Sequence, residues 1–410
     1  MSLKTKLRSL LMVLAVIGPG IIAAAAGNDA GGITTYSVAG ADFGYGLLWS
    51  VIPVTIVLIV VQEMCTRLGV VSGKGLADLI RESYGARITF YILGGLLIAN
   101  LATVVSEFAG IATSLEIFHV PRFVSVPAAA ILVWVIITQA NYRIVEKIFF
   151  VGALLYIAYI VSGFLAQPEW DQVVRHAVVP SFEFSRPYIL LLMGIVGTTV
   201  TPWMQFYIQA SVVEKGVQVK DYRFTKIDVA TGAVTASLVA FFIMVASAAT
   251  LFPHGIQIES AAQAAVALEP FAGRFAEILF AGGLLNASLL GAMIVPIATS
   301  YYICEGLGFE SGVNKDFKEA PVFNGIFTVL IVLGAIPALF PQVPLIRVML
   351  GAQIINGILL APVLIFIVLL MQKEWLMGAH RNGPIYNLFV WAVILLVIAL
   401  SVGVVVGTFM

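Results

Sequence analysis

The sequence predicts an all-α membrane protein, a bundle of eleven transmembrane helices, and three observations carry that prediction. Of the 410 residues 60% are apolar and 11% are charged, against roughly 25% charged residues in an average soluble domain. Apolar runs of the length that crosses a bilayer, about 20 residues, recur along the whole chain. None of them alternates as a strand would, so their backbone groups can be satisfied in hydrocarbon only within helices. A soluble protein needs a charged surface, and 22 basic with 22 acidic residues cannot supply one at this size. The net charge of zero also lacks the basic excess that nucleic-acid binding requires.

The eleven segments fall at residues 10–42, 46–67, 88–112, 123–139, 148–166, 187–213, 227–252, 273–303, 322–340, 346–371 and 384–408. The basic N-terminus, with Lys4, Lys6 and Arg8 ahead of an apolar run, lacks a cleavage site followed by a polar mature domain. It reads as a retained first segment rather than a signal peptide. With that end inside, seventeen Lys and Arg fall on one side, among them Arg67, Lys74, Arg81, Arg143, Lys215, Arg223, Lys318, Lys373 and Arg381. Only Arg122, Arg175, Arg186, Arg274 and Arg347 fall on the other. The bias predicts a cytoplasmic N-terminus and an outer C-terminus. Two polar stretches, residues 167–186 and 252–273, then become outer loops without evident chemistry. Cys65 and Cys304 sit apart in apolar surroundings and read as inert buried thiols.

Two of the segments are interrupted. Gly27-Asn28-Asp29-Ala30-Gly31-Gly32 weakens the first with three glycines, an amide and a carboxylate. In the sixth, Gly197-Thr198-Thr199-Val200-Thr201-Pro202-Trp203 places a proline where it removes a backbone donor and obstructs the preceding turn. The interruptions lie 172 residues apart, from Asp29 to Thr201, and occupy first-helix positions if helices 1–5 and 6–10 are two halves. Such a pair points to a transporter's binding site, where unwound carbonyls and half-helix ends converge. An ionised Asp at the bilayer centre costs about 2.5–3.5 kcal/mol, so Asp29 is a functional candidate. One carboxylate among carbonyls and hydroxyls suits a hard divalent cation such as Mg²⁺, Ca²⁺ or Mn²⁺. His119, His176, His254 and His380 all fall in loops or at segment ends.

The run QEMCTRLGVVSGKGLADLIR at residues 62–81 resembles the end of the second helix in the NRAMP divalent-metal transporters. Gly18-Pro19-Gly20, Arg143 with Glu146, and Glu305-Gly306 add to the resemblance. It implies a LeuT-like fold: an inverted repeat of five plus five helices, 10–166 and 187–371, with helices 1 and 6 broken and an extra helix at 384–408. It also implies alternating access to a metal site near Asp29, Thr201, Gln353 and the carbonyls of Ala26 and Thr198. The family's Asp-Pro-Gly-Asn reads here Asp29-Ala30-Gly31-Gly32, so Gly32 replaces an Asn ligand, which implies extra room. Its Met-Pro-His reads Thr201-Pro202-Trp203, which removes a thioether and an imidazole. Glu107 matches a family Glu, whereas Val104 stands where an Asp associated with proton movement is expected.

Loss of the sulfur removes discrimination against hard ions, and a wider oxygen-lined pocket suits Mg²⁺, which keeps several waters. The resemblance is therefore to the magnesium-transporting branch, with Mg²⁺ as cargo, Mn²⁺ as a second substrate, no cofactor, and no proton coupling. Asn28 is placed to orient Asp29 or to hold a water. Trp203, Gln205 and Glu107 stand behind the ligands, Gln205 facing the same cavity or making an inter-helix contact. Gln353 matches a family Gln that approaches the ion, or else bonds a neighbouring helix. Glu63, Arg67 and Lys74 read as gate or structural ion pairs. The expected partners are the divalent cation and the bilayer, with no obligate protein partner, in a prokaryotic plasma membrane. The alternatives are a proton-coupled Mn²⁺/Fe²⁺ transporter and a sodium-coupled organic-solute transporter of the same fold. Absence of HExxH, GxSxG or a paired catalytic Asp motif argues against an intramembrane enzyme, and one carboxylate is not the charged ring of a channel.

Overall fold

A computed structural model describes residues 27–139 and 153–409. Ala26, Gly18-Pro19-Gly20, Arg143 with Glu146, and the starts of the first and fifth segments lie outside the described residues. The helices of nine or more residues are α1 (Ala30–Phe43), α2 (Val51–Ser72), α3 (Leu76–Tyr84), α4 (Ala86–Glu116), α5 (Arg122–Gln139), α6 (Ile157–Leu165) and α7 (Trp170–Val178). They continue as α8 (Arg186–Thr199), α9 (Pro202–Glu214), α10 (Tyr222–Thr250), α11 (Ala276–Leu307), α12 (Pro321–Ala338), α13 (Leu345–Met371) and α14 (Pro384–Phe409).

Among the described residues nine helical stretches are long and apolar enough to cross a membrane, α8 and α9 counting as one. The other two expected segments, the first and the fifth, begin outside those residues. Two long helices close on left-handed glycines, α2 on Gly73 (φ 66°) and α11 on Gly308 (φ 81°), a conformation in which a Cβ is strained. The stretch 167–186, expected as a loop, contains the nine-residue helix α7, whose Val173 is buried. Its apolar positions, Val173, Ala177 and Val174, are spaced for one helical face, which a reading by overall polarity passes over.

Helix α4 lies centrally, packed against α5, α11, α12 and α13, while α1 packs against α8, α10 and α13. In their most apolar 18-residue windows α8–α9 is 83% buried, against 22% for α14, so the broken pair sits inside the bundle and α14 on its rim. Small residues allow the closest crossings, as expected where hydrocarbon surrounds the helices. A Cβ on Gly357 of α13 would stand 2.7 Å from the Met193 carbonyl of α8, and one on Gly69 of α2 would stand 3.2 Å from the Gln209 carbonyl of α9.

Polar contacts collect at two separate ends. At one, Glu63 accepts from Arg67 (3.2 Å), Tyr386 (2.7 Å) and Tyr222, and Arg67 donates to Asn382 (2.5 Å) and the His380 carbonyl (3.1 Å). Gln209 donates to the Lys74 carbonyl at the same end (2.9 Å). At the other, Arg122 pairs with Glu116 and donates to the carbonyls of Phe340 (3.1 Å) and Val343 (3.3 Å). These contacts join only residues that the alternation of segments assigns to the same side.

Candidate cation site

Each break begins from the chemistry of its own residues. Asp29 is the N-cap of α1: its backbone is extended and its Oδ1 accepts from the Gly32 N–H at 2.6 Å. An Asp is a favoured cap because its carboxylate satisfies N–H groups that have no partner inside the helix. Helix α1 has 14 residues, about 21 Å at the α-helical rise, shorter than the roughly 30 Å of a bilayer's hydrocarbon core, with its positive end at Asp29.

The second break forms at Val200 (φ −116°, ψ 58°) and Thr201 (φ −65°, ψ 137°), between the 14 residues of α8 and the 13 of α9. Pro202 occupies the first position of α9, where its missing N–H costs nothing to that helix. The same missing donor frees the Thr198 carbonyl, whose helical partner would have been residue 202. The Thr201 hydroxyl reaches that carbonyl at 3.2 Å, and Gln205 donates to the Thr201 carbonyl at 3.2 Å. Thr198, 1% exposed, leaves its own hydroxyl unpartnered.

Helices α13 and α4 close the space between the breaks. Gln353 turns its Nε2 to both oxygens of Asp29, at 3.3 and 3.4 Å. Its Oε1 accepts from Asn356 Nδ2 at 3.1 Å, and the same nitrogen donates to Thr103 Oγ1 at 2.9 Å. From α4, Glu107 accepts from the Ala30 N–H at 3.4 Å, and its carboxyl adjoins that of Asp29. Asp29 is 2% exposed, and Glu107, Gln353, Asn356 and Thr103 are fully buried. None of the five ion pairs among the described residues involves either carboxyl.

The structure therefore brings Asp29, Gly32, Thr198, Thr201, Gln353 and Glu107 together. It turns Asn28 elsewhere: the side chain donates to the Ala236 carbonyl of α10 (3.2 Å) and the backbone carbonyl accepts from Tyr156 (3.0 Å). Gln205 makes an inter-helix contact with Cys65 of α2 (3.8 Å) as well as its bond to the break. Trp203 is fully buried with an unpartnered Nε1. A small cavity lies beside the breaks, against α2 and α10, lined by Asn28, Tyr36, Leu58, Thr199, Met204 and Ser237 among others, and Asp29, Thr201 and Gln353 do not line it.

One expectation is corrected. Gly32 was expected to leave room, but a Cβ there would stand 2.8 Å from the Gly27 carbonyl, 2.9 Å from Thr198 Oγ1 and 3.3 Å from Asp29 Oδ1. The missing side chain is taken up by close approach of the two breaks. Gly31 behaves alike, since a Cβ there would fall on the Gln353 amide. Asn356, Thr103 and Tyr156 are site neighbours that sequence reasoning passed over. Asn356, one turn after Gln353 in an apolar helix, was the one with a readable signal.

The donors around Asp29 are carboxylate, hydroxyl, amide and backbone oxygen. Among the described residues, no group of three or more His, Cys, Asp or Glu is placed to hold a metal, so a cation here would depend on the neutral oxygens as much as on the carboxylates.

A family model described as natural resistance-associated macrophage protein-like matches residues 20–407. Among solved structures, the Eremococcus coleocola manganese transporter in complex with an aromatic bis-isothiourea substituted compound is similar at a TM-score of 0.80. It shares 21% identity over 96% of this chain and 86% of that one. Mhp1, a nucleobase-cation-symport-1 family transporter, is similar at a TM-score of 0.62 and 13% identity, over 95% of this chain and 90% of its own. MhsT in complex with L-phenylalanine is similar at 0.55 and 14%, over 94% and 97%. At these identities the likeness is one of fold, and it agrees with the LeuT-like arrangement expected from the sequence.

Proposed function

The chain belongs to the Nramp family, and on that premise we propose that it carries divalent metal cations across a membrane by alternating access, Mg²⁺ first and Mn²⁺ second, without proton coupling. The observation that carries this reading is the set of groups around Asp29, which are carboxylate, hydroxyl, amide and backbone, with Gln353 turning its Nε2 to Asp29 and, among the described residues, no imidazole or thiolate there. Oxygen donors suit Mg²⁺, Ca²⁺ and Mn²⁺, whereas softer metals gain from sulfur or imidazole. Here Thr201 and Trp203 stand where the family resemblance leads one to expect Met and His. The close approach at Gly32 means that a cation keeping part of its water requires the two breaks to separate.

The reading without coupling is supported by Val104. It is fully buried, and Gly334 of α12 approaches it so closely that a Cβ there would fall on its side chain. That apolar contact puts no titratable side chain at position 104, where the family resemblance leads one to expect an Asp. The membrane potential then supplies the driving force, roughly 4.6 kcal/mol per 100 mV for a divalent ion, twice the single-charge value. The proximity of Glu107 to Asp29 favours one alternative, a proton-coupled Mn²⁺ or Fe²⁺ transporter. The excess of Lys and Arg on the side that carries Arg67 supports a cytoplasmic N-terminus and outer C-terminus, and we place the protein in a prokaryotic plasma membrane. We assign the repeats to 10–166 and 187–371, with α14 outside them.

The test is Mg²⁺ uptake into proteoliposomes under a potassium diffusion potential, with a pH dye inside. Uptake that grows with the potential while internal pH stays constant is expected. Acidification in fixed proportion to Mg²⁺, abolished by Glu107→Gln, would establish the alternative.

A further inference from the structure

We propose that Asn356 is a positioning residue that sets the orientation of the Gln353 amide, and so decides whether Gln353 opposes or accepts a cation at Asp29. The proposal rests on the reading of Asp29 as the ion site.

Donor and acceptor inventories fix how these side chains face one another. A carboxylate only accepts hydrogen bonds, so the Gln353 amide must turn its NH₂ toward Asp29, as the 3.3 and 3.4 Å contacts have it. Its Oε1 then needs a donor, and Asn356 Nδ2 supplies one at 3.1 Å. That nitrogen also donates to Thr103 Oγ1 at 2.9 Å, while the Thr103 hydrogen is used on the Ala99 carbonyl at 3.1 Å. The polarity of the whole row is thus fixed by a backbone carbonyl at one end and a carboxylate at the other. Gln353, Asn356 and Thr103 are all fully buried, so no water can repair a reversed member. Gly31 confirms how closely the amide is seated, because a Cβ there would fall on it.

In this orientation the Gln353 NH₂ occupies the carboxylate as a neutral stand-in for a cation. An arriving cation requires the opposite face, Oε1. Half a turn of the Gln353 amide would set its NH₂ against the Asn356 NH₂, donor against donor. Asn356 must then turn as well and present Oδ1, which has no partner in the present arrangement. Thr103 can follow by rotating its hydroxyl from the Ala99 carbonyl to that oxygen. Ion binding at α1 is in this way tied to a hydrogen-bond reversal between α13 and α4, and Asn356 acts on the ion only through Gln353.

Two substitutions bias the reversal. Asn356→Asp leaves only acceptors facing Gln353, which favours the cation-accepting orientation. Thr103→Val adds no charge and removes the acceptor that holds Asn356 in place. Titration of the full-length protein with MgCl₂ and with MnCl₂ by calorimetry, in the native and Gln353→Ala backgrounds, reads both. The expected result is tighter binding by about tenfold for Asn356→Asp and severalfold for Thr103→Val, the scale of one reversed hydrogen bond. Both gains should vanish in Gln353→Ala. Equal gains in the two backgrounds would mean that charge acts directly on the ion, and no gain in either, with folded protein by thermal unfolding, would mean no positioning role; either result overturns the proposal. An Asp29→Ala control separates the failures: binding that survives it removes the ion site itself, whereas lost binding with a flat Asn356 series removes only this inference.

Discussion

Gly31→Ala tests the geometry of the site through a contact that can be switched off. The added Cβ would fall on the Gln353 amide, so either the helices part or Gln353 leaves Asp29. Hydrogen bonds to a charged group are worth about 1.5–3 kcal/mol. The two contacts come from one nitrogen at 3.3 and 3.4 Å, so together they count as one such bond. Alanine in a helix gains about 0.5–1 kcal/mol over glycine. The net loss for Gly31→Ala is therefore about 1–2 kcal/mol. In a Gln353→Ala background the space is already empty, and the same substitution should be neutral or stabilising by up to about 1 kcal/mol. The coupling between the two positions is then about 1.5–3 kcal/mol, within the range that contacting residues show in double-mutant cycles. Unfolding of the four proteins in mixed detergent micelles measures it. Equal losses in both backgrounds would refute the placement of Gln353 across α1.

Further outcomes follow from other contacts. Glu63→Ala removes the partner of Arg67, whose side chain is 14% exposed, and leaves a largely buried charge uncompensated. A loss of about 3 kcal/mol or more in thermal unfolding is expected, with the Mg²⁺ dissociation constant unchanged, and a shift of that constant would make the cluster part of the site. Thr201→Met introduces a soft donor beside the Thr198 carbonyl. It should strengthen Cd²⁺ competition against Mg²⁺ uptake by about tenfold or more, and an unchanged Cd²⁺ potency would mean that residue 201 does not face the ion.

Asp29 and Pro202 were legible because each breaks a local rule: a carboxylate in hydrocarbon and a missing N–H inside an apolar run. Pro202 determines which carbonyl is freed from sequence alone, four positions back. The partners of these groups were not legible, because they come from far along the chain. Asn356 meets Thr103 across 253 residues, and Tyr156 meets Asn28 across 128, and no local pattern encodes such pairings. The role of Gly32 was misjudged for the same reason. Absence of a side chain is consistent with open space or with close approach, and only the position of the Gly27 carbonyl and Thr198 decides between them. Helix α7 was passed over because its apolar positions are few and its flanks polar, although their spacing was helical.

The central claim is that Asp29, capping a half-helix between two chain breaks, holds the transported cation. Calorimetric titration of purified protein and its Asp29→Ala variant with MgCl₂ tests this most directly, with thermal unfolding to show that both are folded. Saturable binding by the native protein and none by the variant is the predicted result. Binding of equal affinity by both would place the ion elsewhere and contradict the account.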